Sequence, residues 1–186
     1  MTGTPIASLH WRALDREGED TCRLVRLDAG WMLIGHARFR DGPNFAALDY
    51  VIRCGLDWLT SSADITGTFA DASVSLRILR SGLHWTLNGA PQPDVQGATD
   101  IDLGFTPATN LMPLRRLPEI GRIATRAAWL RGTDAALSPL DQTYTRARGG
   151  LVEYSAEQTN YATQLVVNPQ GFVTRYPGLW EVSNDR

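Results

Sequence analysis

Residues 74–89 are Val74-Ser75-Leu76-Arg77-Ile78-Leu79-Arg80-Ser81-Gly82-Leu83-His84-Trp85-Thr86-Leu87-Asn88-Gly89. Residues 74–79 are predicted to form a strand, because apolar and polar side chains alternate from residue 74 to residue 78, which is the period of a strand with one buried face. Ser81-Gly82 then forms a turn into residues 83–87, and Asn88-Gly89 is typical of a two-residue hairpin turn. The segment predicts an antiparallel hairpin.

The same alternation extends over most of the chain. Further strands are predicted at residues 21–27, 31–40, 44–54, 123–130, 144–147, 151–155, 161–167 and 172–176. Short turn sequences separate them, at residues 28–30, 41–43, 149–150 and 168–171. Connections of this length are hairpin connections and not those of βαβ units. The pattern therefore predicts a mainly β fold with a many-stranded antiparallel sheet.

Residues 106–117 depart from that rhythm and predict a short helix. Thr106 is a helix-capping residue type, and Pro107 would occupy the first helical position. Leucines at 111, 114 and 117 recur on one side of such a helix. Because Pro113 inside a helix removes a hydrogen bond, we expect the helix to be short or broken. No linker or repeat divides the chain, so residues 1–186 are predicted to form a single domain.

The composition excludes several classes of protein. Of 186 residues, 43% are hydrophobic and 20% are charged, which is typical of a globular domain and excludes disorder as the main state. The 18 basic residues are all arginine and face 20 acidic ones, so the net charge of -2 argues against nucleic acid and anionic membranes as partners.

The expected location is the cytoplasm. The first twelve residues lack the apolar core of an export signal, and no apolar run reaches the roughly 20 residues of a transmembrane helix. Cys22 and Cys54 are therefore expected to be reduced, and most simply to be small buried side chains.

Several motifs resemble the bacterial family named "putative glycolipid-binding". The resemblance runs from about Trp11 to Trp180. It rests most on residues 100–105 (DIDLGF), 106–110 (TPATN) and 114–117 (LRRL), with support from residues 50–58 (YVIRCGLDW), 142–146 (QTYTR) and 171–179 (GFVTRYPGL). It implies an antiparallel sheet curled around a single short helix, remotely similar to lipoprotein-localisation factors. It also implies a homodimer with an acidic pocket.

Asp100 and Asp102 are the leading candidates for the site. They alternate with Ile101 and Leu103, so in a strand both carboxylates would point to one face. Two neighbouring carboxylates suit either the binding of sugar hydroxyls or general acid/base chemistry. A solvated strand face is the plainer alternative, and an Asp-x-Asp metal site of the glycosyltransferase kind is a third.

Arg115 and Arg116 are adjacent, so on a helix their side chains project about 100° apart and cannot serve one pocket equally. A bidentate clamp from Arg116 to Asp100 or Asp102 would fix the helix against the sheet, and we favour this structural role over ligand binding. Asn110 is a candidate pocket donor, or part of the architecture of the helix end.

Aromatic and amide side chains complete the candidate site. The six tryptophans are spread over predicted strands and mostly suit the core. Trp58 and Tyr144, with Gln142 beside the tyrosine, are candidates for a pocket that divides apolar walls from a few polar groups. Core packing is the alternative for each of them.

No catalytic motif is present, and no cofactor or metal is expected. The histidines at 10, 36 and 84 lack metal-ligand spacing, and the chain has no Gly-x-Ser-x-Gly elbow, phosphate loop or dinucleotide fingerprint. Three hypotheses follow. The first is a protein that binds a glycolipid or another sugar-containing small molecule in an acidic pocket, in glycolipid or cell-envelope metabolism. The second is a carboxylate-based hydrolase or transferase acting on a glycoconjugate, and the third is an assembly surface.

Overall fold

The computed structural model describes residues 3–133, 136–146 and 151–183. Within those ranges the chain forms fifteen β-strands and one short α-helix. The first eight strands are β1 (Thr4–Ala13), β2 (Gly18–Leu27), β3 (Gly30–Asp41), β4 (Asn44–Cys54), β5 (Thr60–Phe69), β6 (Ala72–Ser81), β7 (His84–Leu87) and β8 (Ala90–Pro91). The others are β9 (Asp100–Leu103), β10 (Gly121–Leu130), β11 (Ser138–Arg146), β12 (Leu151–Ala156), β13 (Tyr161–Val167), β14 (Val173–Tyr176) and β15 (Trp180–Val182).

All fifteen strands belong to one sheet. Its order is β8-β7-β6-β5-β4-β3-β2-β1-β15-β14-β13-β12-β11-β10-β9. The two ends of the described chain therefore meet in the middle of the sheet, where Ala13 of β1 pairs with Trp180 of β15. The mainly β fold with a many-stranded sheet is confirmed.

One pair of strands differs from the predicted antiparallel arrangement. β9 and β10 are parallel, with Ala127 opposite Asp100 and Leu130 opposite Leu103. The helical segment lies between them in the chain, so this end of the sheet contains a β-helix-β crossover. After β9 the helical segment takes the chain back to the end of β9 at which that strand began, so β10 runs in the same direction as β9.

The predicted helix is confirmed as a short, two-part segment. A 3-10 turn at Pro107–Asn110 leads directly into α1 (Leu111–Arg116). The Thr106 hydroxyl caps the turn by accepting a hydrogen bond from the backbone N–H of Ala108 at 2.9 Å. Pro113 lies in the first turn of α1, where a missing N–H costs little.

The helix is part of the hydrophobic core. Leu111 and Met112 have no exposed surface, and Leu114 and Leu117 are also buried. One continuous cluster joins them to the inward side chains of the sheet. The curled sheet therefore packs its apolar face around the helix, which accounts for the continuous alternation along its strands.

The strands missed by the sequence pattern have weak alternation. β1, β5, β8 and β15 were not predicted, and β5 is made mostly of small or polar residues. The predicted turn at residues 149–150, together with residue 147 of a predicted strand, lies outside the described residues. No helix in the described ranges has the length and apolarity needed to cross a membrane.

Candidate functional site

A cavity of about 220 Å³ opens between the start of the helical segment and the second half of the sheet. Its polar lining includes Asp102 of β9, Thr106 and Asn110 of the helical segment, and Tyr154 of β12. The crossover between β9 and β10 brings the carboxylate of Asp102 to the same cavity as the turn that carries Asn110. This parallel pair therefore positions the site.

Asp102, Asn110 and Tyr154 of this cavity are joined by one hydrogen-bond chain that runs through Tyr144 and Gln142. The Nδ2 atom of Asn110 donates to the Tyr144 hydroxyl at 2.8 Å, and that hydroxyl donates to Oε1 of Gln142 at 3.4 Å. The Nε2 atom of Gln142 donates both to Oδ2 of Asp102 at 2.8 Å and to the Tyr154 hydroxyl at 3.0 Å. Four of the residues predicted for the site, at 102, 110, 142 and 144, thus lie in one network.

The direction of these hydrogen bonds decides what the network offers. Gln142 uses both of its amide hydrogens and its carbonyl oxygen, so it serves to position its neighbours. Oδ1 of Asp102 has no partner among the described residues and remains an acceptor. The Tyr154 oxygen accepts from Gln142 and is also hydrogen-bonded to the Tyr176 hydroxyl, so one O–H of the Tyr154–Tyr176 pair is still a donor. An acceptor and a donor therefore remain at the cavity.

The environment of Asp102 favours its protonated form. Burial raises the pKa of Asp102 to about 6; the hydrogen bond from Gln142 opposes this rise, and the negative charge of Asp100 adds to it. The carboxyl group is therefore ionised at neutral pH and gains a proton in mildly acidic solution.

Aromatic rings form much of the remaining wall. They are Trp129, Tyr154, Tyr161, Tyr176 and Trp180. The three tyrosines contact one another, with ring centroids 5.6 to 6.4 Å apart. Nothing in the local sequence pattern identified this group, because its five members come from five different strands.

Asp100 has a different role from Asp102. Arg116 binds its two carboxylate oxygens at 2.8 and 2.7 Å, and the Thr125 hydroxyl donates to the same group at 2.5 Å. The Asp100 side chain is 1% exposed and that of Arg116 is 15% exposed. The clamp predicted for Arg116 is thus present, and Asp100 does not line the cavity.

Trp58 and Arg115 lie together, away from the cavity. The Arg115 guanidinium carbon is 4.9 Å from the centroid of the Trp58 ring. Trp58 also stacks on Trp31, with centroids 4.3 Å apart and planes 15° apart. Trp31 of β3 and Trp58, which lies between β4 and β5, are therefore packed against each other in the folded chain.

Asp20 is a buried acid that sequence reasoning missed. It has no exposed surface, and Oδ2 accepts hydrogen bonds from the Tyr50 hydroxyl at 2.9 Å and the Thr106 hydroxyl at 2.5 Å. Burial raises the pKa of Asp20 to about 7, despite these two hydrogen bonds. A signal was available, because Asp20 occupies the same alternating face of β2 as Cys22 and Leu24.

Neither cysteine is poised for chemistry. Cys22 and Cys54 are free and buried, and burial raises the pKa of both thiols. Within the described ranges, no group of three or more histidine, cysteine, aspartate and glutamate side chains is placed to hold a metal ion.

Comparison with known proteins agrees with this description. A family model described as "Putative glycolipid-binding" matches residues 8–182. The crystal structure of a DUF1089 family protein from Pseudomonas aeruginosa is similar, with 27% sequence identity and a TM-score of 0.76 over 88% of this chain and 91% of that chain. None of the curated proteins matches the chain.

Proposed function

This chain belongs to the family described as "Putative glycolipid-binding", and from that membership and the geometry of the cavity we propose that it binds the sugar headgroup of a glycolipid. The lipid part would remain outside the cavity. The observation that carries the proposal is the hydrogen-bond chain that ends in an open acceptor on Asp102 and one donor O–H on the Tyr154–Tyr176 pair.

The network suits a sugar because each sugar hydroxyl both donates and accepts. Oδ1 of Asp102 can accept from one sugar hydroxyl, and the free O–H of the Tyr154–Tyr176 pair can donate to the neighbouring hydroxyl. Gln142 binds Asp102 and Tyr154 through its two amide hydrogens, and its carbonyl oxygen accepts from Tyr144. The site is therefore organised before a ligand arrives, which reduces the entropy lost on binding.

The wall and the volume support the same ligand. Aromatic rings pack against the apolar faces of sugar rings, and the cavity has five of them. At about 220 Å³ it lies below the roughly 300 to 1,000 Å³ that is usual for drug-sized ligands. This size supports the binding of one sugar ring and not of acyl chains.

A carboxylate-based hydrolase or transferase is the second candidate. It is favoured by the pKa of about 6 at Asp102, which suits a general acid. Glycoside hydrolysis ordinarily uses two carboxyl groups that flank one bond. Here Arg116 occupies both oxygens of Asp100, so we rank binding above catalysis.

The cellular setting completes the proposal. We propose a bacterial, cytoplasmic homodimer that acts in glycolipid or cell-envelope metabolism. The family description supports a glycolipid as the ligand. The homodimer, the cytoplasmic location and the metabolic role stay predictions.

Calorimetric titration with a short-chain alkyl glucoside, below its micelle concentration, tests the proposal. Gln142→Ala removes the amide that holds Asp102 and Tyr154, and we expect it to weaken binding by about tenfold or more. Gln158→Ala is the matched control, because Gln158 binds Asp141 and does not line the cavity. Equal affinity in the two variants, or no binding of any sugar headgroup, would contradict the proposal.

A further inference from the structure

The cavity has an uncompensated negative charge. Asp102 supplies the carboxylate, and among the described lining residues none is arginine, histidine or lysine. The hydrogen-bond partner of Asp102 is the neutral amide of Gln142. Arg16 lies over the Trp180 ring and Arg131 over the Trp129 ring, but in the described chain neither arginine pairs with Asp102. An anionic headgroup would therefore meet a carboxylate that no cation neutralises directly.

Other aspartates of the sheet show how this chain usually neutralises such a group. Asp100 has Arg116 at 2.7 Å, Asp141 has Arg126 at 2.7 Å, and Asp64 has Arg53 at 3.0 Å. Asp102 is partly buried, yet no arginine within the described ranges pairs with it. A charged group withdrawn from water gains most from an opposite charge placed against it.

The aromatic wall is suited to the same kind of charge. Tyr161 and Tyr176 line the cavity on strands other than the one that bears Asp102, whereas the Arg16 guanidinium already lies over the Trp180 ring. The π face of an aromatic ring carries partial negative charge and attracts ammonium groups, and cages of several such rings recognise cationic ligands. A carboxylate and an aromatic wall in one small cavity therefore favour a cation that is compact enough to enter it.

We propose that the headgroup bound in this cavity carries an ammonium group beside Asp102, as an amino sugar does. This inference rests on the proposed function, since it assigns a chemical class to the sugar at the same site. Hydroxyl groups of the sugar would use the Tyr154 hydroxyl and Asn110, while the ammonium group would face the carboxylate and the rings. The cavity would discriminate against anionic headgroups, including phosphorylated sugars and uronates.

Calorimetric titration at pH 7 with three methyl glycosides tests the inference. The probes are methyl glucosaminide, methyl glucoside and methyl N-acetylglucosaminide, and choline is the sugar-free cation. We expect methyl glucosaminide to bind about tenfold more tightly than the two uncharged glycosides. In Asp102→Asn this preference should disappear, whereas Asp141→Asn, which removes a carboxylate outside the cavity, should retain it.

A second pair of variants keeps the test decisive if Asp102→Asn does not fold. Tyr161→Leu removes one ring of the wall and should lower the affinity for methyl glucosaminide several-fold. Tyr161→Phe loses the hydrogen bond to the Pro177 carbonyl but keeps the ring, so it should retain the preference. Equal effects of the two substitutions would overturn the role given to the ring.

The outcomes separate this inference from the proposed function. If the three glycosides bind equally, the cavity binds sugars and the ammonium assignment is wrong. If choline binds in a manner that depends on Asp102 and no glycoside binds, the ammonium assignment stands and the sugar proposal is wrong. If none of the four probes binds, both are wrong.

Discussion

Asp20 and Asp102 are acids of the sheet interior that lack an arginine partner in the described chain, and they differ in what surrounds them. Asp102 opens onto the cavity, whereas Asp20 is enclosed and touches the hydroxyls of Tyr50 and Thr106. Thr106 lines the cavity, so Asp20 lies one hydrogen bond away from it. Such enclosed acids make the stability of a protein depend on pH.

Replacement of Asp20 by asparagine should remove part of that dependence. Folding raises the pKa of Asp20 from 3.8 to about 7. Between these two pH values the folded protein keeps the Asp20 proton, whereas the unfolded chain has released it. The free energy of unfolding of the wild type should therefore fall as the pH rises from about 4 to about 7, and stay low above that. Asp20→Asn should be more stable at pH 8 by a few kcal/mol, at about 1.4 kcal/mol per pKa unit.

Urea unfolding at a series of pH values measures this difference. The comparison of wild type with variant cancels contributions from other groups, including Asp102, whose pKa is also raised. Asp141→Asn is the control of opposite sign, since the hydrogen bond from Arg126 lowers the pKa of Asp141. Parallel stability curves for wild type and Asp20→Asn would show that Asp20 carries no such proton.

At the scale of elements, an ion pair joins the helix to the sheet. Arg116, in the last turn of α1, binds Asp100 at the start of β9 and also donates to the Trp58 carbonyl at 3.1 Å. The adjacent Arg115 points elsewhere and packs on the Trp58 ring. Two neighbouring arginines of one helix thus have separate functions, as their 100° separation predicts.

Removal of Arg116 should therefore cost far more than removal of Arg115. Arg116→Met leaves the buried carboxylate of Asp100 unpaired, and we expect a loss of about 3 to 5 kcal/mol in the free energy of unfolding. Arg115→Met should cost less than about 1 kcal/mol, because it loses a partly exposed contact with a ring. Chemical denaturation of the two variants gives both values.

A second substitution checks the cause of that loss. In the double variant Arg116→Met, Asp100→Leu no charge remains buried, so part of the lost stability should return. No recovery would indicate that the arginine acts through packing of its stem and not through its charge.

β3 and β4 approach each other closely where Gly35 faces Tyr50. Gly35 pairs with Tyr50, and a methyl group added at Gly35 would lie 2.0 Å from the tyrosine ring. The absent side chain lets the ring lie over the neighbouring strand, and the Tyr50 hydroxyl reaches Asp20. The glycine is therefore required by its partner across the strands.

Gly35→Ala should displace the Tyr50 ring and destabilise the protein by about 1 to 3 kcal/mol. Gly132→Ala is the matched control, since an added methyl group there meets no atom within 4 Å. Thermal unfolding of both variants tests the difference. Equal melting temperatures would mean that the ring moves aside without cost.

At the scale of the molecule, both ends of the sheet are protected. β8 has two residues, one of which is Pro91, and a proline cannot donate to a neighbouring strand. At the other end, Thr60 of β5 donates its backbone N–H to the Thr99 carbonyl, and its hydroxyl accepts from the N–H of Ile101. We therefore expect the predicted homodimer to form through a face of the sheet or through its loops, and not through the edge strands.

Sedimentation equilibrium tests the predicted homodimer. We expect twice the 20.5 kDa mass of one chain at micromolar concentration. Hydrogen exchange in β8 should not change with protein concentration, because this edge is not expected to form the interface. A species of 20.5 kDa at every concentration would contradict the homodimer.

Local patterns along the chain were sufficient to predict most of the strands, the short helix and its cap. Asn88 and Gly89, for example, have the positive φ angles of 49° and 82° that their hairpin turn requires. Alternation of side chains and the geometry of turns depend on neighbouring residues, so a sequence carries them directly. The arginine clamp was also predicted, because the guanidinium of Arg116 on the helix can bind a carboxylate of Asp100 or Asp102 on the preceding strand in a bidentate manner.

The tertiary structure alone decided which acid faces the cavity and which is neutralised. The parallel pairing of β9 with β10 places Asp100 against Arg116, and it leaves Asp102 with Gln142, 40 residues away in sequence. The aromatic wall and the enclosed site of Asp20 likewise join residues from distant strands. Such contacts depend on how the sheet curls around the helix, and that is set by packing between segments that are far apart in the chain.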